Sequence, residues 1–363
     1  MKENRQSGLR FLGAIVSLLA LALVLAPSAG AAYDPIGSGT TKITLDPSFL
    51  SFLKKQGVTL KAKAPAKRQG PTIVLPVSGG KEDPTTAKGE VTHEGTLIFQ
   101  RGNRKLPLRD IELKAKKTPL FAKVGGGQLK VASARGLSSQ RQGFGQSFRA
   151  QGLSLTAKVA TRLNKKLRTG KAFTEGQAIG AASSKTQPQR VAIREQGQGT
   201  ITPDPAFLAK LKPLFVSLNP IAPAELQPGP VLKFPIAPGS QIAPDASEGT
   251  LRTAGAIELL QLGAGQLFQK EYWLDLGLKS ATSEVDIEPT PAFPGKLGRI
   301  GSFDIGTGSV ASDPKTRSIS LAGAPLTLTA ATAQQFNEAF AAGAPTFSAG
   351  ELFGTVGFGA LGQ

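Results

Sequence analysis

Apolar and polar residues alternate with a period near two along most of this chain. Examples are TIVLPV at residues 72–77, QLKV at 128–131 and VLKFPI at 231–236, each close to glycine or proline. Successive side chains of a β-strand point to opposite faces, so this period predicts strands with one buried face. We therefore predict an all-β fold of two tandem β-sandwich domains, each with one or two short peripheral helices.

Two stretches of the chain occur twice, in the same order. ITLDPSFLSFLKK at residues 43–55 matches ITPDPAFLAKLKP at 201–213, and LTAKVATRLNKKLRTG at 155–170 matches LTAATAQQFNEAFAAG at 328–343, with Asn164 opposite Asn337. Self-similarity at a fixed spacing indicates repeated structural units. The predicted domains span residues 40–183 and 198–360, joined by a linker at 184–197. Residues 140–152 have no clear period and are expected to form a loop.

Each repeat is predicted to open with a short helix and to close with a longer one. Asp46 and Asp204 can accept hydrogen bonds from the first free N–H groups, and a proline follows each of them, as suits a helix start. The expected stops are Gly57 and Pro213. The longer helices are expected to begin at Thr156 and Thr329 and to end at Gly170 and Gly343.

The first residues have the pattern of a secretory signal peptide. Lys2, Arg5 and Arg10 precede an apolar run at residues 11–25, followed by SAGAA. We assign residues 1–31 to the signal peptide. No cysteine follows the run, which excludes a lipoprotein, and no later segment is apolar enough to span a bilayer. A secreted or extracellular protein is expected, with retention at the cell surface left open.

Composition narrows the chemistry that the chain can carry. It contains no cysteine and one histidine, His93. Disulfides and thiolate metal sites are therefore excluded, and one histidine cannot assemble a usual zinc site. No nucleophile-elbow sequence or phosphate loop is present. We predict no catalytic residues, no metal site and no enzymatic activity.

Charge divides the two repeats. Residues 32–197 hold 30 Lys and Arg against 10 Asp and Glu, whereas residues 198–363 hold 10 against 14. The basic clusters could bind an anionic cell-wall polymer or lipid head groups through their summed potential, and a solvated surface is the alternative. Nucleic acid is not an expected partner, because it is generally absent outside the cytoplasm.

The repeated elements resemble the HtaA domain of secreted and surface-bound haem-uptake proteins of actinobacteria. LTLTAATAQQFNEAFAAG with the following phenylalanine and glycines is similar to that family's helix and turn, and GEVTHEGTL at residues 89–97 is similar to its strand leading to a histidine. The resemblance implies haem as a cofactor, held by a tyrosine near the start of the domain and supported by the histidine. Phe52 stands at the tyrosine position in the first repeat, and Lys210 stands there in the second.

The resemblance makes the first repeat the candidate ligand-binding half. His93 is the candidate ligand, and the alternative is a polar strand residue that supports the sheet. Phe49, Phe52 and Phe99 are candidates for lining a haem slot, and Arg101 and Arg104 for meeting its carboxylates.

The second repeat contributes one further candidate, the pair Tyr272 and Trp273. Adjacent strand residues face opposite ways, so one ring should pack inside and the other outside. Core packing is one interpretation. A ligand-stacking surface, or a substitute for the missing tyrosine, is the other.

Overall fold

The computed structural model describes residues 33–363 except 84–87, 116–118, 125, 264, 289–294 and 342. The predicted signal peptide, residues 1–31, lies outside the described residues. The described residues lie mostly in β-strands, with four short α-helices and one 3₁₀ turn. The predicted all-β fold with few short helices is confirmed.

The first repeat contains eleven strands and two helices. They are β1 (Asp34–Leu45), α1 (Pro47–Lys55), β2 (Thr59–Lys63), β3 (Lys67–Gln69), β4 (Thr72–Glu82), β5 (Gly89–His93), β6 (Thr96–Arg101), β7 (Arg104–Ala115), β8 (Pro119–Val124), β9 (Gly127–Gln142), β10 (Gly145–Leu155), α2 (Ala157–Leu167) and β11 (Ala178–Pro188).

The second repeat contains fourteen strands, two α-helices and the 3₁₀ turn. They are β12 (Val191–Ala192), β13 (Gln198–Pro203), α3 (Pro205–Leu211), the 3₁₀ turn (Lys212–Leu214), β14 (Val216–Ile221), β15 (Glu225–Gln227), β16 (Val231–Pro235), β17 (Gln241–Ile242), β18 (Gly249–Arg252), β19 (Ala256–Gln261), β20 (Gly265–Asp275), β21 (Ser280–Ile287), β22 (Lys296–Ile305), β23 (Ser309–Asp313), β24 (Ser318–Leu328), α4 (Ala330–Phe340) and β25 (Leu352–Leu361).

Both sheets curl back on themselves. In the first repeat the order β7-β5-β4-β1-β11-β10-β9-β8 is closed by pairing of β8 with β7. In the second, β20-β21-β22-β24-β25-β13-β16 continues to β18 through one bridge between Ile236 and Thr253, and β18 pairs with β20. Facing walls of each domain therefore belong to one continuous antiparallel barrel. Its apolar interior is the core.

One asparagine in each repeat holds the same turn. Asn164 Nδ2 donates to Phe173 O at 2.7 Å, and Phe173 N donates to Asn164 Oδ1 at 3.0 Å. Asn337 makes both bonds to Phe347, each at 2.8 Å. A side-chain amide presents a donor and an acceptor side by side, as this pairing needs. The turn after the longer helix is therefore held by the same two hydrogen bonds in both repeats.

The predicted helix starts agree with the structure, whereas some stops differ. Asp46 accepts from Ser48 N, and Asp204 accepts from Ala206 N and Phe207 N. The second short helix ends at Leu211, before Pro213, because its chain continues as a 3₁₀ turn. The capping residues of the longer helices are Arg168 and Ala341, each two residues before the expected glycine.

Three segments differ from the sequence interpretation. Residues 140–152, expected as a loop, form the hairpin of β9 and β10, whose exposed face is too polar to give a clear period. Residues 184–188, expected in the linker, complete β11. LGLK at residues 276–279 has the apolar alternation that predicts a strand, but it forms the turn between β20 and β21.

The β9–β10 hairpin also joins the two repeats. Its Phe144 is 6% exposed and packs in the core of the second repeat. Close by, Asp34 and Arg317 form an ion pair at 2.8 Å, with side chains 1% and 3% exposed. Asp34 accepts a further hydrogen bond from Ala192 N at 2.8 Å. The first strand is thereby fastened to the second repeat.

Candidate functional sites

His93 lies at the end of β5, enclosed between strands. The residue is 4% exposed, and it pairs with Val77 of β4 and Ile111 of β7. Its Nδ1 lies 2.9 Å from Ile111 O, and its Nε2 lies 2.6 Å from Thr41 Oγ1. A carbonyl oxygen can only accept, so Nδ1 carries a proton. Burial lowers the His93 pKa, which favours the neutral ring.

This arrangement occupies both ring nitrogens of His93. Thr41 Oγ1 also lies 2.8 Å from Ser184 Oγ, so the histidine belongs to a buried polar chain across the barrel interior. Iron ligation would require breaking one of these bonds. General-base catalysis is no better supported, because the partner of Nδ1 is a backbone carbonyl, where a Ser-His-Asp triad has a carboxylate.

The candidate haem-slot phenylalanines pack against one another. Phe52 stacks on Phe49 with ring centroids 6.2 Å apart and meets the edge of Phe173 at 5.1 Å. Phe99 contacts Phe173 at 6.4 Å. Phe49, Phe99 and Phe173 are buried, and Phe52 is partly exposed. Phe173, which the candidate set did not include, therefore packs against both Phe52 and Phe99.

The two candidate arginines have different surroundings. Arg101 donates from Nη1 to the carbonyls of Leu167 and Arg168, at the end of helix α2. Arg104 is exposed. In the second repeat Gln261 takes the place of Arg101 and donates to Phe340 O, at the end of helix α4. Arg101 therefore has a helix-capping contact, as its counterpart does.

Tyr272 and Trp273 point to opposite faces of β20, as the strand geometry predicts. Tyr272 is 1% exposed, and its hydroxyl donates to Gln269 Oε1 at 3.0 Å. Burial raises the pKa of this phenol, which disfavours the phenolate that iron ligation needs. By strand register the pair matches Ile111 and Glu112 of β7, because Thr253 pairs with Tyr272 as His93 pairs with Ile111.

Trp273 lies between two arginines on the outer face. The guanidinium carbons of Arg252 and Arg299 lie 4.6 Å and 4.0 Å from the ring centroid. Arg299 Nη2 also lies 3.4 Å from Glu271 Oε2. Such cation–π contacts stabilise a sheet face without any ligand.

The outer face of β1, β11, β10 and β9 was not predicted from the sequence. Lys42 and Arg149 lie on either side of Ser183 in the same row, and Lys185 lies two residues further along the middle strand. Asp34, which is buried, is the only acidic residue in the sequences of these four strands. We call this outer surface the acid-free face. Its signal is the alternation of Lys, Arg, Ser, Thr and Gln in segments without Asp or Glu.

A groove crosses the acid-free face. One part is a cleft of about 370 Å³ beside Arg135, Gly152 and Gly180, with Asp46 before helix α1 also in its wall, and a smaller part of about 160 Å³ lies beside Lys42 and Arg149. The parts share Thr44, Gln151 and Ala181 in their walls. A bulge in β10 between Ala150 and Leu153 interrupts the pairing there. Bulges bend a strand and leave backbone groups unpaired, which suits a binding cleft.

No protein-family model and no curated protein matches the chain. Among solved structures, the N-terminal domain of HtaA from Corynebacterium glutamicum is similar at 18% identity and a TM-score of 0.36, covering 47% of this chain and 99% of that one. The C-terminal domain of the same protein matches at 13% identity and a TM-score of 0.33, covering 43% and 98%. The chain resembles HtaA domains, as its sequence predicted. Sequence identities this low do not show which residues of this chain have a functional role.

Neither a metal-binding group nor a membrane-spanning helix is found among the described residues. No group of three His, Asp or Glu side chains is placed to hold a metal ion there. None of the helices in the described ranges is long and apolar enough to cross a bilayer.

Proposed function

We propose that this is an exported, non-enzymatic binding protein of the cell envelope, in which the acid-free face of the first HtaA-like domain binds an anionic polymer. The observation that carries the proposal is a group of exposed cations on four strands whose one carboxylate, Asp34, is buried. Within the described chain, Lys42, Arg135, Arg149 and Lys185 have no ion-pair partner. Their charges are therefore available to an outside ligand.

The spacing of these cations suits a chain of repeated charges. Neighbouring strands lie about 4.8 Å apart, so Lys42 and Arg149, two strands apart, have Cα atoms separated by about 10 Å. Lys185 lies about 7 Å further along the sheet by strand rise. The hydroxyl of Ser183 lies between Lys42 and Arg149 and can bind neutral oxygens. A polymer of phosphodiester or carboxylate units fits this surface better than a compact anion.

We expect the triple variant Lys42→Gln/Arg149→Gln/Lys185→Gln to bind polyglycerol phosphate about tenfold or more weakly than the wild-type chain at low salt. Each cation near a polyanion contributes counterion release, so the salt dependence of binding should also become shallower. Isothermal titration at several salt concentrations measures both effects.

The matched control is Lys61→Gln/Lys105→Gln/Lys158→Gln, which removes the same charge from exposed sites elsewhere in the first repeat. This control should lose much less affinity. Equal losses in the two variants would show that net charge alone governs binding, and an unchanged titration of the first variant would remove the acid-free face from the proposal.

Haem is the second candidate ligand. The observation that favours it is a surface depression of about 730 Å³ lined by Phe173, whose ring meets the partly exposed ring of Phe52. Lys165, Arg168 and Lys171 stand in the wall of this depression and could meet haem carboxylates. Glu175 also stands in this wall, and Phe52 offers no atom to the iron, so only weak binding through the haem carboxylates is proposed.

We expect Phe52→Tyr to strengthen hemin binding, because it supplies the phenolate that the HtaA resemblance implies at this position. The measurement is a hemin titration followed by the Soret band, with wild type and the variant side by side. His93→Ala is the control. Its titration should resemble that of wild type, because the His93 ring is enclosed by neighbouring strands of the barrel, where it contacts Thr41 and Ile111. Flat titrations for both the wild type and Phe52→Tyr would rule out haem as the ligand.

A further inference from the structure

Two large apolar side chains project together from one end of the second repeat. Phe215 is 75% exposed and Leu262 is 79% exposed. Phe215 precedes β14 and Leu262 follows β19, and the strands pair at Val216 and Gln261, so the two residues are neighbours. We call Phe215 and Leu262 the apolar tip. Single exposed apolar residues are common, but an adjacent pair this exposed needs a reason.

The backbone at Phe215 adds a second observation. Its φ is +55°, in the left-handed region that glycine adopts without penalty and other residues disfavour. The matched position of the first repeat, two residues beyond the aligned helices, is Gly57 with φ +63°. A glycine thus suffices for this turn. The second repeat keeps a phenylalanine there although its ring has no place in the core.

The apolar tip is held firmly in position. Gln261 Nε2 donates to Leu214 O at 2.9 Å and to Phe340 O at 3.2 Å, which ties the turn to helix α4. Phe215 N donates to Lys212 O at 3.0 Å. A side chain presented on a fixed turn loses little further freedom when it binds.

The small size of the apolar tip indicates which kind of partner it can bind. A stable protein interface needs about 800 Å² from each side and roughly 20–30 residues, far more than two side chains supply. Insertion into a lipid surface has no such requirement, because each apolar side chain gains separately on leaving water. Exposed Lys212, three residues before Phe215, adds a cation for anionic head groups. We propose that the apolar tip inserts into the interface of an anionic lipid bilayer, independently of the acid-free face.

The test is co-sedimentation of the chain with vesicles of equal phosphatidylglycerol and phosphatidylcholine. We expect wild type to bind, and Phe215→Gly and Leu262→Ser each to bind about tenfold or more weakly. Phe215→Gly restores the residue found at position 57, so it should fold at least as stably as wild type. The matched control is Leu278→Ser, which removes another leucine, 78% exposed, from a different turn and should bind like wild type.

Three results would overturn the proposal: no sedimentation of wild type, equal losses in the tip variants and Leu278→Ser, or a wild-type dimer that Phe215→Gly abolishes. Binding of polyglycerol phosphate should be the same for wild type and Phe215→Gly. Failure of the lipid proposal and failure of the polymer proposal are therefore read from separate measurements.

Discussion

Replacing Arg317 with alanine should lower the free energy of unfolding by about 3–5 kcal/mol. Asp34 and Arg317 are almost fully enclosed, and the variant leaves the carboxylate buried without its cation. Arg317 also donates to Gln363 O and lies over the ring of Phe144, 6.0 Å from its centroid. One side chain thus holds the first strand, the β9–β10 hairpin and the C-terminal residue together. Urea unfolding followed by tryptophan fluorescence measures the change.

Two controls separate this junction from charge in general. Lys123→Ala breaks an ion pair of similar length, 2.7 Å, whose side chains are 58% and 64% exposed, and it should cost no more than about 1 kcal/mol. The double variant Asp34→Asn/Arg317→Met removes both buried charges but keeps an acceptor for Ala192 N. It should recover much of the stability that Arg317→Ala loses. If Arg317→Ala costs no more than Lys123→Ala, the ion pair does not hold the repeats together.

The sequence could predict whatever depends on residues close in the chain. Asp46 followed by Pro47 carries the signal of a helix start, and the Asn164–Asn337 match in the repeat predicts equivalent positions. Barrel closure was not predictable, because it depends on β7 accepting a third partner strand, β8, beside β5 and β6. The Asp34–Arg317 pair joins residues 283 positions apart, for which one sequence holds no signal.

The candidate sites show the same difference between features that depend on residues close in the chain and features that depend on distant residues. Alternation along β5 places His93 on the same face as Val91, but its partner Thr41 comes from β1, and Ser184, which contacts Thr41, comes from β11. The acid-free face could not be predicted while residues 140–152 were expected to form a loop, because that segment supplies parts of β9 and β10. Once that segment is a strand, the cations of β10 join those of β1 and β11 in adjacent rows. Charge in the sequence is visible, whereas its placement needs the strand register.

Stability should fall as the pH rises through about 7, because of Glu82. Burial raises the pKa of this carboxyl to about 7, with the Asp34 charge adding to the rise and the hydroxyl of Thr186 and the charge of Arg317 opposing it. Thr186 Oγ1 donates to Oε2 at 2.6 Å, whereas Oε1 is buried without a partner in the described chain. The folded state therefore prefers the protonated acid, and ionisation places a second negative charge close to Asp34.

The sign follows from linkage. A carboxyl whose pKa is higher in the folded state than its ordinary 4.5 contributes its full stability below that value and loses it progressively as the pH rises from 4.5 through 7. The loss between pH 4.5 and pH 8 should be on the order of 3 kcal/mol. Glu82→Gln cannot ionise, so its unfolding free energy should lack this decline and exceed that of wild type above pH 7. Urea midpoints at intervals between pH 5 and pH 8.5 test this, and parallel curves for the two proteins would show that Glu82 is not the group responsible.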